Sequence, residues 1–206
     1  MTKINSKKND SLDLAAKYKL IEIELGSARV KIDESLKYHL GSPTENVANC
    51  FYVATTIKEL TEAILLAKEL KVPYFLFGAG TKSLVTEDIE GLTIKNRTSG
   101  IRISGVKGKV SVKGIGVDEA MIEIESGVSL GKSNDFLKEQ KLRAFNFAFI
   151  PNATIGGSLY VTPPLQDLVQ KVKVFSDGEI SDIEVYELKS DDIVLSVILK
   201  VKSSDE

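Results

Sequence analysis

The chain has 206 residues, 43% apolar and 27% charged, with a net charge of −2. These are the proportions of a folded globular chain, long enough for one large domain or two small ones. So small a charge implies no basic surface for nucleic acid, and no apolar stretch approaches the ~20 residues of a membrane span. Cys50 is the only cysteine and His39 the only histidine. That excludes a disulfide framework, a thiolate zinc cluster and a multi-histidine metal site. The polar opening, residues 1–13, lacks the apolar core of a secretory signal, so the cytosol is the expected location.

Residues 1–17 are expected to be mobile. Ile21, Ile23 and Leu25 then alternate with Glu22 and Glu24, the period of a strand. Gly26 and Ser27 permit a turn, and residues 29–32 a returning strand. Residues 51–54 read as a short buried strand. Thr56 and Glu59 form a capping box for a helix whose stripe is Ile57, Leu60, Ile64 and Ala67, with Pro73 as its stop. The apolar run 74–77 has the look of a strand covered on both faces. Strand, helix and strand in so short a span predict a βαβ unit.

Beyond Gly91 the pattern changes. Residues 92–95, 101–104, 110–113 and 121–125 are short strand candidates, punctuated by Gly100, Gly105, Gly108, Gly114 and Gly116 as in a meander. Residues 129–140 carry a weaker helical pattern. Val172 and Val174 alternate with lysines, Asp177-Gly178 is a hairpin signal leading to 180–185, and 193–201 supply a last strand. The predicted class is α+β with one parallel unit.

The candidate chemistry lies in two turns. Gly78-Ala79-Gly80-Thr81-Lys82-Ser83 follows the second strand of the βαβ unit. Bare backbone there lets successive N–H groups face an anion, with hydroxyls from Thr81 and Ser83 and a charge from Lys82. It is not a Walker A loop, because Thr81 precedes Lys82 where glycine would stand. It is not a dinucleotide fingerprint, because Ser83 holds the third glycine position. A plain tight turn and a phosphate cradle both fit these residues. Pro151-Asn152-Ala153-Thr154-Ile155-Gly156-Gly157 carries the same two readings, since its glycines also suit close packing of neighbouring backbones. His39 reads as a surface or satisfied histidine rather than a base or a flavin attachment point. Cys50 reads as a small buried hydrophobe. Asp118, Glu119, Glu123 and Glu125 read as a solvated strand face. No nucleophile, base and orienting group can be assembled, so no catalytic or metal-binding residue is assigned.

Four segments in order resemble the FAD-binding part of the UDP-N-acetylmuramate dehydrogenase family, of the type shared with vanillyl-alcohol oxidases. They are residues 35–39 followed by Ala54, residues 72–85, residues 125–130 and residues 150–158. The second resembles the family's GGGSNLLV loop, the third its AGAGV turn, the fourth its IPGTIGGA loop. The resemblance implies an FAD-binding fold of two α+β subdomains, 18–95 and 96–206, with FAD between them. It implies that Gly78 to Ser83 receive the pyrophosphate, and that Gly127 and Pro151 to Gly157 line the flavin or adenine side.

The chain also departs from the family pattern. Leu40-Gly41-Ser42 and Glu45-Asn46 replace its segment after the histidine. Lys82, Ser83 and Asn152 stand where it has asparagine, leucine and glycine, and Tyr160 to Pro164 where it has MNAGA. The sequence stops near Val201, where the family begins the substrate domain that carries its proton-donating serine and catalytic glutamate. The expectation is an FAD-binding domain that is not a complete reductase alone, with a protein partner supplying a substrate domain. The alternative is a cofactor-free pseudoenzyme acting as a protein-interaction or regulatory module.

Overall fold

A computed structural model of the chain describes residues 13–41, 44–81, 85–111 and 114–204, with 109–111 and 114–115 described by their backbone alone. Packing divides the chain into two units, Met1–Arg97 and Thr98–Glu206.

The first unit contains α1 (Leu14–Leu25), β1 (Val30–Ser35), β2 (Val47–Ala54), α2 (Ile57–Glu69), β3 (Tyr74–Phe77) and β4 (Ile89–Asn96). Its sheet has the order β1-β2-β4-β3. β1 is antiparallel to β2, while β2, β4 and β3 run parallel. The expected βαβ unit is therefore present, with β4 inserted between its two strands.

The strand expected at residues 20–25 is instead the end of α1, which begins at Leu14, inside the stretch expected to be mobile. Residues 1–12 lie outside the described residues. Asp13 caps the helix by accepting from the Ala16 N–H at 2.8 Å. The alternation misled because only Ile21 is buried, while Ile23 is 63% exposed. Tyr18, one turn before Ile21, accepts a hydrogen bond from the Gly91 N–H at 2.9 Å. Two contacts three residues apart dock the helix, a spacing that a period of two hides.

The capping box of α2 is formed as read, with both Thr56 and Glu59 bonds present. Glu59 also takes a two-pronged bond from Arg29, at 2.7 and 2.9 Å. Arg29 first, and then the Thr55 N–H and hydroxyl, hold the Glu59 carboxyl down to about 2 against the opposing effect of burial. A folded pKa below the ordinary carboxylate value stabilises the fold above that ordinary value, and the stabilisation is lost as pH falls towards the folded one. The pair is partly exposed, at 39% for Arg29 and 24% for Glu59. After allowance for solvent screening, Glu59→Gln is expected to cost ~1–2 kcal/mol near pH 7. Urea unfolding of both proteins should show this difference shrinking between about pH 5 and pH 2.5. A difference that does not change with pH would refute it.

α2 stops before Pro73 acts. Lys71 takes the left-handed conformation, φ +53°. The Val72 N–H reaches back to Ala67 O and the Lys71 N–H to Lys68 O, a Schellman motif without glycine. β3 is an edge strand, so Tyr74, Phe75 and Leu76 are half-buried, and the expected cover on both faces is absent at these three residues. Leu36, Ala48, Phe51 and Phe77 form a buried cluster, with Leu40, Val53 and Phe75 packed against it.

The second unit contains β5 (Ile101–Ser111), β6 (Gly114–Glu125), α3 (Leu130–Glu139), α4 (Ile155–Leu159), α5 (Pro163–Gln166), β7 (Val169–Ser176), β8 (Glu179–Ile183) and β9 (Ile193–Lys202). They form an antiparallel sheet of order β5-β6-β9-β7-β8. Residues 101–111 are one strand, not two. Gly105 and Gly108 sit at register shifts against β6, so these glycines bend the ladder instead of turning the chain. Asp177 and Gly178 both have positive φ, the type I′ hairpin turn that the dipeptide signals.

One face of this sheet buries Ile122, Ile124, Val172, Val197 and Leu199 against Leu130, Leu137 and Leu159. The other face is charged. Glu119 lies 3.1 Å from Lys200 and 3.7 Å from Lys107. Glu123 pairs with Arg102 and lies 3.6 Å from Lys173. Lys200 above all lowers the Glu119 carboxyl. Burial works to raise Glu123, but Arg102 and Lys173 outweigh it and the carboxyl ends lower. These carboxylates are cross-strand ion pairs on a polar face. Cys50 is fully buried, and burial first, with Glu22 nearby, pushes its thiol up to about 12.

Candidate functional site

The glycine loop of the first unit begins where β3 ends, at the carboxyl end of the parallel strands, the edge at which open parallel sheets receive ligands. Gly78, Ala79 and Thr81 are half-buried and Gly80 is buried; Lys82 and Ser83 lie outside the described residues. Gly80 has φ +69°, and a Cβ there would stand 2.7 Å from His39 O and 2.9 Å from Leu40 Cα. The Gly41 N–H donates to Gly80 O at 3.0 Å. The loop is thus clamped onto the backbone of residues 39–41. Asn46, one of the departures from the family pattern, donates to Val85 O at 3.1 Å and braces the chain just beyond the loop.

Beside this clamp, the His39 ring lies 4.4 Å from the Phe51 ring. Its Nε2 is 2.9 Å from Glu34 Oε1, and its Nδ1 is 3.3 Å from Lys95 Nζ. His39 is therefore a satisfied, half-buried histidine, as its residue type suggested. Burial would raise the Glu34 carboxyl, but Lys31 and His39 outweigh that and it ends lower.

In the second unit the other two predicted segments do come together, as packing partners. The Ile155 N–H donates to Val128 O and the Gly156 N–H to Ser126 O, while Leu130 and Gly131 donate back to Ala153 O and Pro151 O. A Cβ on Gly156 would stand 2.8 Å from Ser126 Cβ, so this glycine serves close approach of the two chains. The Gly127 N–H goes to Thr98 Oγ1 at 3.0 Å, and the Gly157 N–H to Thr154 Oγ1 at 3.4 Å. The second half of the expected loop is the short helix α4, capped by Thr154. Ala153, Thr154, Ile155 and Gly156 are buried, while Pro151, Asn152 and Gly157 are exposed. An open cleft of about 660 Å³ lies against α3, lined among others by Ser99, Ile101, Lys132, Phe136, Pro151 and Asn152. Among the described residues no cluster of three or more His, Cys, Asp or Glu is placed to hold a metal, and no helix is long and apolar enough to cross a membrane.

A family model described as an FAD binding domain matches residues 48–162. The chain belongs to this family of FAD-binding domains. The match runs from β2 through the glycine loop to the end of the second loop, and the family indicates FAD as the cofactor. The domain is similar to the UDP-N-acetylenolpyruvoylglucosamine reductase of Alkaliphilus oremlandii (strain OhILAs), 27% identical over 184 residues, which covers 86% of this chain and 57% of that protein. It spans about half the length of the curated relatives it matches. Among solved structures it is similar to UDP-N-acetylenolpyruvylglucosamine reductase from Thermus caldophilus, with a TM-score of 0.65 and 20% identity, over 85% of this chain and 63% of that one. It is also similar to the grass pollen allergen Phl p 4, which has glucose dehydrogenase activity, with a TM-score of 0.66 and 13% identity, over 93% and 44% of the two chains. At such identities the likeness is one of fold, and it is the two-sheet α+β FAD-binding fold that the sequence resemblance implied.

The first unit fits a dinucleotide diphosphate: its loop is glycine-built, turned at positive φ and set at the carboxyl end of parallel strands. Lys95, two residues before the end of the unit, is the charged side chain near the loop that sequence reading passed over. The available signal was a lysine directly following the strand-forming run Leu92-Thr93-Ile94.

Proposed function

We propose that this FAD-binding domain is the flavin-holding part of an oxidoreductase of the UDP-N-acetylenolpyruvoylglucosamine reductase type. The observation that carries the reading is the FAD-binding match across residues 48–162, which takes in the glycine loop at the end of β3. In this reading both α+β subdomains, 18–95 and 96–206, contribute. Gly78, Ala79, Gly80, Thr81, Lys82 and Ser83 receive the diphosphate through backbone N–H groups and hydroxyls. Gly127 and residues Pro151 to Gly157 line the flavin or adenine side, chiefly through the exposed Pro151, Asn152 and Gly157. FAD when bound supplies the redox chemistry, and the protein supplies position and electrostatics.

The experiment is an FAD titration of the purified full chain, followed by its visible spectrum and thermal unfolding. The expected result is a yellow protein whose melting temperature rises with FAD, since a ligand at a hundredfold excess over Kd adds ~2.7 kcal/mol of stability. Colourless protein with no thermal shift overturns the reading.

A second reading, a cofactor-free interaction or regulatory module, is favoured by one observation. The N–H groups of Gly127, Ile155, Gly156 and Gly157 are all engaged inside the unit. The FAD titration separates the readings, because a cofactor-free module shows neither a flavin spectrum nor a thermal shift.

A further inference from the structure

The charge at the glycine loop is placed by a chain of three side chains. A lysine ammonium only donates, so the contact from Lys95 Nζ at 3.3 Å makes His39 Nδ1 the acceptor. The imidazole proton then sits on Nε2 and is given to Glu34 Oε1 at 2.9 Å. Glu34 is held in turn by Lys31 at 2.6 Å. The carboxylate fixes the ring, and the ring fixes the ammonium.

Lys95 is paired across the parallel ladder with Phe77, the last residue before the loop, and its Nζ lies 5.7 Å from the centre of the Phe77 ring. The same His39 that holds the ammonium has its backbone oxygen against Gly80. Among the described residues no carboxylate meets Lys95, and His39 takes one of its three donors. Burial first, and Arg97 beside it, lower the Lys95 ammonium's pKa. A half-buried cation that meets no carboxylate among the described residues, at the carboxyl end of parallel strands, calls for an anion there.

We propose that Lys95, oriented by the Glu34–His39 pair, is the residue that receives a phosphate oxyanion at the glycine loop. The expected ligand is the diphosphate of a dinucleotide. Only the identity of that ligand rests on the FAD reading above; free pyrophosphate or another nucleoside diphosphate offers the same oxyanions. Lys95 then binds the ligand directly, and His39 and Glu34 are positioning residues.

The test is equilibrium titration of the full chain with FAD, ADP, inorganic pyrophosphate and riboflavin, for wild type, Lys95→Met and Lys95→Arg, with circular dichroism to verify folding. Losing a charge-assisted contact should weaken FAD and ADP about tenfold or more in Lys95→Met. Riboflavin, which has no phosphate, should be unaffected, and Lys95→Arg should retain part of the affinity. Binding by Lys95→Met should also respond less to added salt. If Lys95→Met does not fold, Lys95→Gln is read in its place. A folded variant that binds FAD and ADP as the wild type does overturns the inference and leaves the FAD reading intact. Lys95-dependent binding of ADP or pyrophosphate without FAD binding does the reverse. A wild type that binds none of the phosphate ligands overturns both.

Discussion

Gly91→Ala is expected to destabilise the first unit by ~3–5 kcal/mol, among the largest single-residue effects in this chain. Gly91 lies within β4 at φ +101°, a conformation a side chain rarely adopts, and a Cβ there would stand 2.1 Å from Pro73 O and 2.9 Å from Pro73 C. The obstacle is backbone, so no rotamer change relieves it. The Pro73 carbonyl also accepts the Leu92 N–H at 2.9 Å, and Leu92 pairs with Tyr74 at the start of the β3–β4 ladder. The added methyl therefore separates two parallel strands where their pairing begins. It also disturbs the Gly91 N–H that holds Tyr18 and, with it, α1. The chain has no tryptophan, so urea unfolding is best followed by circular dichroism. Most folded domains are stable by only ~5–15 kcal/mol, so the variant should lose much of its first unit's cooperative transition. A midpoint within about 1 kcal/mol of the wild type would refute the argument.

The role of Gly91 was not legible in the sequence, and the reason is general to this chain. Contacts within about a turn of one another were readable: the Thr56–Glu59 capping box, the Asp177-Gly178 hairpin, the stripe of α2. Each is decided by residues one to four positions apart. Gly91 is required by Pro73 through the pairing of β4 with β3, and it read only as the place where the pattern changed. The alternating run in α1 failed for the same reason. Its orientation is set by Tyr18 against Gly91, seventy-three residues away, and isoleucine and glutamate in alternation do not encode that. The glycines of β5 were read as turns because a bulge and a turn use the same residue, and only the partner strand distinguishes them.

The candidate site divides along the same line. The order of the two glycine-bearing loops identified the FAD-binding fold, because it depends on local sequence kept in sequence order. What each glycine does there was hidden. The cluster of Glu34, His39 and Lys95 joins residues five and fifty-six positions apart, and nothing at those spacings forms a motif.

Gly80 and Gly157, equivalent as members of small-residue turns, should behave in opposite ways. Gly80→Ala is expected to cost ~2–3 kcal/mol. The new Cβ meets His39 O at 2.7 Å and Leu40 Cα at 2.9 Å, at φ +69°, and it opposes the Gly41–Gly80 bond that closes the clamp. The loop must lift away from residues 39–41 to relieve it. That shifts the backbone N–H groups proposed to meet the diphosphate, and with His39 the support of Lys95. FAD affinity should therefore fall more than tenfold even under conditions in which the variant remains folded. Gly157→Ala meets only Thr154 Oγ1, at 3.4 Å, and lies exposed within α4 at ordinary helical φ. Alanine loses less chain entropy than glycine there, so its stability should be unchanged or raised by up to ~1 kcal/mol. A fall in FAD affinity in that stable variant would place the ligand against the methyl group itself. Differential scanning calorimetry with and without FAD reads both quantities for both variants. Equal stability of Gly80→Ala and wild type would show that the clamp on residues 39–41 is not what fixes the glycine loop.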